Sequence, residues 1–393
     1  MAGVNRWILP DGVEEVLPGR ARLVEHNRRR LLDLYHSWGY DLVIPPMLEF
    51  TDSLLSAAGA DLDLLTFRLT DQSSGRMMGV RADITPQTAR IDAHSLARQG
   101  PSRLCYAGTV LHTRARDPLS SRTPISIGIE LFGEASVEAD IEVISLFLRS
   151  LQVAGVDAVC LDLGHVDVCR GLLDEACQSE DQAIQFSALL QRKAVDEIEH
   201  WVDQNIGDKK LANWLLLLPN LIGGVEVLDR AQRELADAPA KVIAAIQQLR
   251  AVAAEVADED VALYFDLGEM PGYHYHTGLV FSGYVKGHGK ALGNGGRYDH
   301  IGEVFGRARP ATGFAFDLKA LVNLGSIDCE LGAGICFTAA NDDVQLWVEV
   351  ERLRDSGERV VRVFSEQLKN LQELNCDRQL VKGPDGWVVK DLL

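Results

Sequence analysis

The sequence predicts an α+β fold built on an antiparallel sheet with helices packed on it, and three observations carry that reading. VALYFDL, GLVFSGYV and KALGNGGRYD are short β-like runs separated by glycine, which gives an antiparallel sheet with helices packed on it rather than alternating βαβ units. Between about 166 and 256 glycines thin out, and Val242, Ile243, Ile246, Leu249, Val252 and Val256 fall on one helical face, which marks a helical insertion. After Gly325 a second, smaller strand–helix–strand pattern begins, so a small C-terminal α/β domain over 326–393 is expected beside a larger one over 1–325.

Taken in order, Val24, Leu31, Leu34, Tyr35 and Trp38 recur at helical spacing over 22–38, and Gly39 follows as the usual left-handed cap. The next run, YDLVIPP, offers Val43 and Ile44 as a short strand that Pro45 and Pro46 must end, since proline removes a ladder donor. RLCYAGTVLH and ISIGIELFG read as a hairpin around the polar loop TRARDPLSSRTP. Val137, Ile141, Ile144, Leu148 and Leu151 repeat the helical pattern up to Gly155, and AVCLDLG is the strand after it. VALYFDL, GLVFSGYV and KALGNGGRYD return to β character. In the tail, GICFTA, VQLWVEVERLRDSG and VVRVF read as strand, helix and strand, followed by a polar stretch ending in GWVVKDLL.

Composition narrows the function. The net charge of −18 opposes sequence-independent binding to nucleic acid, which depends on Lys and Arg displacing counterions. Seven cysteines, an odd number with no CxxC pair, fit reduced thiols better than a disulfide framework or a zinc ribbon. The start MAGVNRWILPDG lacks the apolar stretch of a signal peptide, and nowhere do ~18 consecutive apolar residues occur; a cytoplasmic protein is expected.

Among phosphate motifs, a P-loop fails twice around Gly289 and Lys290, where Tyr284 and Ala291 replace the required glycine and hydroxyl residue. His274 and His276 alternate in strand fashion and share a face, but only Asp266 and Glu269 stand near as further ligands. A polar pocket wall, with Tyr273 and Tyr275 interleaved, is the better reading than a metal site. From Arg76 to Arg122 eight arginines face three acids; the bland reading is a solvated face, and the sharper one an anionic ligand or an acidic partner.

WGYDLVIPPMLE, VRADITPQTAR, GIELFGE and GGRYDHIGEVFGRARPATGFAFDLKAL resemble, in order, the signature motifs of class II aminoacyl-tRNA synthetases, and most of all histidyl-tRNA synthetase, over about residues 8–325. The resemblance implies the synthetase sheet and a homodimer made largely through the first motif. It also exposes three departures. The motif-two pattern Phe-Arg-x-Glu is replaced by Leu111, His112, Thr113 and Arg114; the third-motif arginine falls on Ala320; and the arginine of the histidine loop falls on Pro271. Each such cation stabilises charge developing on phosphorus, and losing one typically costs ~3 to 4 kcal/mol, so no catalytic residue and no cofactor are expected.

The amino-acid side of the pocket survives in the resemblance. Asp83 and Thr85 match a family carboxylate and its neighbour, Glu130 matches the glutamate ending the second motif, and Tyr273, Tyr275 and His276 match the histidine loop. With Arg114 of VLHTR, these are the candidate histidine-binding residues. A synthetase-like chain without its arginines is similar to the regulatory subunits of short-form ATP phosphoribosyltransferase. That similarity implies a partner, the short catalytic subunit, within a hetero-oligomer, with histidine as feedback effector and no nucleic acid or membrane partner. The tail holds fewer Lys and Arg than Asp and Glu, which also argues against tRNA reading. An active histidine-activating enzyme and a plain small-ligand binding protein are the competing readings.

Overall fold

The computed structural model describes residues 7–56, 60–115, 120–257, 260–268, 275–327, 333–338, 343–364, 371–384 and 386–392. The chain divides into two compact units, Met1–Ile327 and Asp328–Leu393.

The first unit opens with α1 (Pro18–Ser37) and β1 (Asp41–Leu42). A small three-stranded sheet follows from β2 (Leu48–Phe50), β3 (Phe67–Thr70) and β4 (Met77–Val80), with the short helices α2 (Thr51–Leu54) and α3 (Ala60–Leu65) between β2 and β3. Next come α4 (Thr85–Arg90), β5 (Ser102–Thr109), β6 (Ile125–Phe132), α5 (Val137–Val153) and β7 (Val159–His165). The insertion holds α6 (Val166–Ala176), α7 (Glu180–Gln191), α8 (Val195–Asn205), α9 (Lys209–Leu217), the two-residue β8 (Ile222–Gly223), α10 (Glu226–Glu234) and α11 (Ala240–Glu255). The unit closes with β9 (Val261–Asp266), β10 (Leu279–Val285), β11 (Gly293–Arg297), β12 (Ala311–Asp317) and α12 (Leu318–Leu324).

Nine strands form one sheet in the order β1-β5-β6-β12-β11-β10-β7-β9-β8. From β5 to β7 every neighbour is antiparallel, as expected, but β1 runs parallel to β5 and β9 parallel to β7, so the sheet is mixed at its flanks. β1 also sits two residues earlier than Val43 and Ile44. Asp41 and Leu42 pair with Leu104 and Cys105, and Val43 adds one last bond to the Cys105 carbonyl before the prolines stop the ladder. Ile44 is left exposed.

Helix α1 buries Val24, Asn27, Leu31 and Tyr35 and ends at Trp38, after which Gly39 takes φ +85°. Helix α5 lies on the same face of the sheet. Its Phe147 stacks on Phe316 at 4.6 Å and meets Phe281 and Phe314 edge-on at 5.2 and 5.4 Å, so one aromatic side chain clamps two strands. Arg297 of β11 ties the start of α5 to the sheet, donating to Asp140 at 3.1 Å with both side chains buried. The insertion shares this core: Leu172, Leu215, Val242, Ile246 and Leu249 are fully buried in the same apolar cluster. With helices covering one face, the other face of the central strands is open to hold a ligand.

The second unit has the sheet order β14-β13-β15-β16, made of β13 (Gly334–Phe337), β14 (Val360–Arg362), β15 (Cys376–Gly383) and β16 (Gly386–Asp391). Helix α13 (Val344–Asp355) buries Leu346, Val350 and Leu353 against it. The polar stretch before GWVVKDLL is thus a strand, paired antiparallel with it from Arg378↔Asp391 to Gly383↔Gly386. Its Asp377, Arg378, Gln379 and Lys382 hid the alternation that would have marked it.

Candidate ligand-binding site

Strand periodicity builds the site. Along β6, Ile127, Ile129 and Leu131 enter the core, while Ser126, Gly128 and Glu130 point to the opposite face. There Ser126 and Glu130 floor a cavity of about 570 Å³. Gly313 of β12 lies beside Glu130 in register, and a Cβ on it would come 2.3 Å from a Glu130 carboxylate oxygen and 2.4 Å from the Tyr298 hydroxyl. Only glycine leaves that pair intact.

Glu130 is buried at one end of the cavity. Tyr298 donates to one of its oxygens and Tyr106 to the other at 3.3 Å, and the Tyr106 hydroxyl lies 3.4 Å from that of Thr85. Burial pushes the Glu130 carboxyl up to about 8; its hydroxyl partners only partly offset that penalty, and the nearby Asp83 charge adds to it. Asp83 turns one carboxylate oxygen to the backbone N–H groups of Ile84 and Thr85, at 2.6 and 3.2 Å, fixing the start of α4 at the cavity wall. Two carboxyl groups, Glu130 held by hydroxyls and Asp83 by backbone N–H groups, suit a ligand that brings positive charge or N–H donors.

Tyr275 and His276 close that end. Tyr275 stacks on Tyr298 at 5.1 Å and meets His276 edge-on at 5.0 Å. Burial, with Arg170 nearby, lowers the His276 imidazole to about 4, so it is neutral at physiological pH. Arg170 donates to the His276 backbone carbonyl at 3.0 Å, and His276 Nδ1 is buried with no hydrogen-bond partner among the described residues.

The far end is lined by Ser120, Ser121, Ser126, Lys290, Asn294, Asp317 and Ala320. Among the described lining residues there is no arginine. His112, which stands in the motif-two sequence, lines the wall with Nε2 2.9 Å from the Ala82 carbonyl. Most of the described arginines of the arginine-rich run are engaged within the fold. Arg81 is buried and donates to the Thr109 and Pro45 carbonyls, Arg90 pairs with Glu49, Arg98 with Asp41 and Arg103 with Glu142, and Arg122 donates to the His112 and Asp11 carbonyls.

Of the candidates named from sequence, the structure brings together Asp83, Thr85, Glu130, Tyr275 and His276. Arg114 is exposed and absent from the cavity lining, and Tyr273, like His274 and Pro271, lies outside the described residues. Tyr106, Tyr298, Ser126, Asn294 and Lys290 were not singled out. The first two had a readable signal: Tyr106 is the register partner of Gly128, and Tyr298 follows Gly296 by one strand period, so both fall on the glycine-lined face. Lys290 sits on a connecting loop, where periodicity gives no signal.

This sheet with its flanking helices is the histidyl-tRNA synthetase type of class II fold. The histidyl-tRNA synthetase family model matches residues 12–321, and the model of the ATP phosphoribosyltransferase subunit HisZ C-terminal domain matches residues 333–390. The ATP phosphoribosyltransferase regulatory subunit of Cellvibrio japonicus is 54% identical over 383 residues, covering 97% of this chain and 96% of that one. That of Saccharophagus degradans is 51% identical over 391 residues, 99% of both. The crystal structure of an ATP phosphoribosyltransferase regulatory subunit/histidyl-tRNA synthetase from Bacillus halodurans superposes with a TM-score of 0.83 at 26% identity, covering 96% of this chain and 99% of that one. Histidyl-tRNA synthetase from Nostoc shares the fold at a TM-score of 0.78 and 18% identity, over 98% and 94% of the two chains. The chain belongs to the ATP phosphoribosyltransferase regulatory subunit family, whose members serve histidine biosynthesis without being its catalysts.

Proposed function

We propose that this chain senses histidine in the cavity bounded by Asp83, Thr85, Glu130, Tyr275 and His276, and passes the signal to a short catalytic subunit of ATP phosphoribosyltransferase. The chain acts as a homodimer within a cytoplasmic hetero-oligomer. The observation that carries the reading is a two-ended cavity: the buried Glu130 carboxyl with its two tyrosine partners beside Asp83 at one end, and no arginine among the described lining residues at the other. Adenylation needs preorganised positive charge around the α-phosphate, so the pocket keeps recognition and lacks chemistry.

Feedback then follows from differential affinity. Histidine binds one quaternary arrangement better than another, and that difference moves the catalytic subunits toward an inhibited state. Titration calorimetry with histidine, on wild type and on Glu130→Ala, tests the site; saturable binding lost in the variant is expected. A second titration with the catalytic subunit present tests the coupling, and an unchanged affinity would refute the allosteric step.

A further inference from the structure

We infer that Lys290 receives the carboxylate of the amino acid held in this cavity and so makes the site selective for the amino acid over analogues that lack that group. The inference rests on the histidine-pocket reading above. An α-amino acid is a zwitterion, and the Asp83–Glu130 end can satisfy only its positive and N–H-bearing parts. Its carboxylate is repelled there and needs a cation elsewhere. Among the described lining residues Lys290 is the one lysine, and no arginine accompanies it.

The strand register sets the reach. Glu130 pairs with Gly313 and Ser126 with Asp317, so the two β6 side chains share a face four residues apart, roughly 13 Å at strand spacing. Lys290 lies at the Ser126 end, where its charge acts on Asp317 and its ammonium donates to the Ser120 hydroxyl at 3.1 Å. Standard bond lengths make histidine and a lysine side chain each roughly 6 Å long, so Lys290 meets the carboxylate of a ligand seated at Glu130 by swinging from Ser120 along the floor. Asp317 is an anion beside the cation, and its carboxylate also accepts from the Lys319 backbone N–H at 3.0 Å to cap α12, so a ligand carboxylate competes with it for Lys290. Ser120 and Ser126 supply hydroxyl donors beside the same point. One ammonium matches one carboxylate and falls well short of a polyphosphate.

The test compares L-histidine with L-histidinol, in which a hydroxymethyl group replaces the carboxylate, by calorimetry on the full chain. Wild type should prefer histidine by about tenfold or more, the scale of one charge-assisted hydrogen bond. Lys290→Met should lose that preference by weakening histidine alone, and Lys290→Arg should restore much of it. Unchanged histidinol binding shows that the Met variant is folded. If Lys290→Met keeps the full preference, Lys290 does not hold the carboxylate, while the pocket reading survives. If wild type binds neither ligand, both readings fall.

Discussion

The two ends of one cavity have been treated differently by the sequence. At the Glu130 end each carboxylate oxygen meets a tyrosine hydroxyl, and a glycine makes room for the arrangement. At the far end small residues, Ser121, Ser126 and Ala320, take over, with Lys290 the only Lys or Arg among the described lining residues. A buried carboxyl is costly to keep, and it persists here with partners in place, whereas Ala320 stands where the third-motif cation is expected. On the proposed reading, the difference teaches that recognition and catalysis can separate within one pocket.

The largest expected effect breaks the well-kept end. Glu130→Ala removes the acceptor of a charge-assisted bond and leaves the Tyr298 and Tyr106 hydroxyls without it, so histidine affinity should fall by ~100-fold or more in calorimetry. Tyr298→Phe removes one hydroxyl and keeps the ring stacked on Tyr275, for an expected loss of about tenfold.

A pH series sharpens the same contrast. With the empty-site Glu130 carboxyl near 8, a ligand ammonium must displace its proton, so histidine affinity should rise with pH toward about 8 by up to about tenfold per unit. Stability runs the other way. Between the ordinary carboxylate range and about 8 the folded chain holds a proton that the unfolded chain has released, so unfolding becomes easier as pH rises through that window. Glu130→Gln should flatten this part of the thermal-melt profile, its advantage over wild type growing from pH 5 to 9. A profile identical to wild type would show that Glu130 titrates normally.

The smallest effect concerns a residue chosen from sequence alone. Arg114 is exposed and outside the lining, so Arg114→Ala should leave histidine affinity within about twofold, in the range of ordinary surface substitutions. A larger loss would mean that the loop after β5 closes over the ligand.

How much could be read beforehand follows from which signals are periodic. Helices α1 and α5, with their glycine stops, and the β5–β6 hairpin stood out because burial writes itself into spacing. Asp83, Thr85, Glu130, Tyr275 and His276 were legible through motif resemblance, which transfers position as well as residue type. The parallel pairing of β1 and β9 was not, because strand direction depends on a distant partner and leaves the side-chain alternation unchanged. Strand β15 was masked by its polar residues, and Lys290 reaches the cavity from a loop.

The central claim is that the pocket binds histidine and cannot activate it. Incubating the purified chain with histidine, ATP and labelled pyrophosphate measures this directly. No histidine-dependent transfer of label into ATP is predicted. Exchange above a histidine-free control would contradict the account, since it would require positive charge around the phosphates that the described lining does not provide.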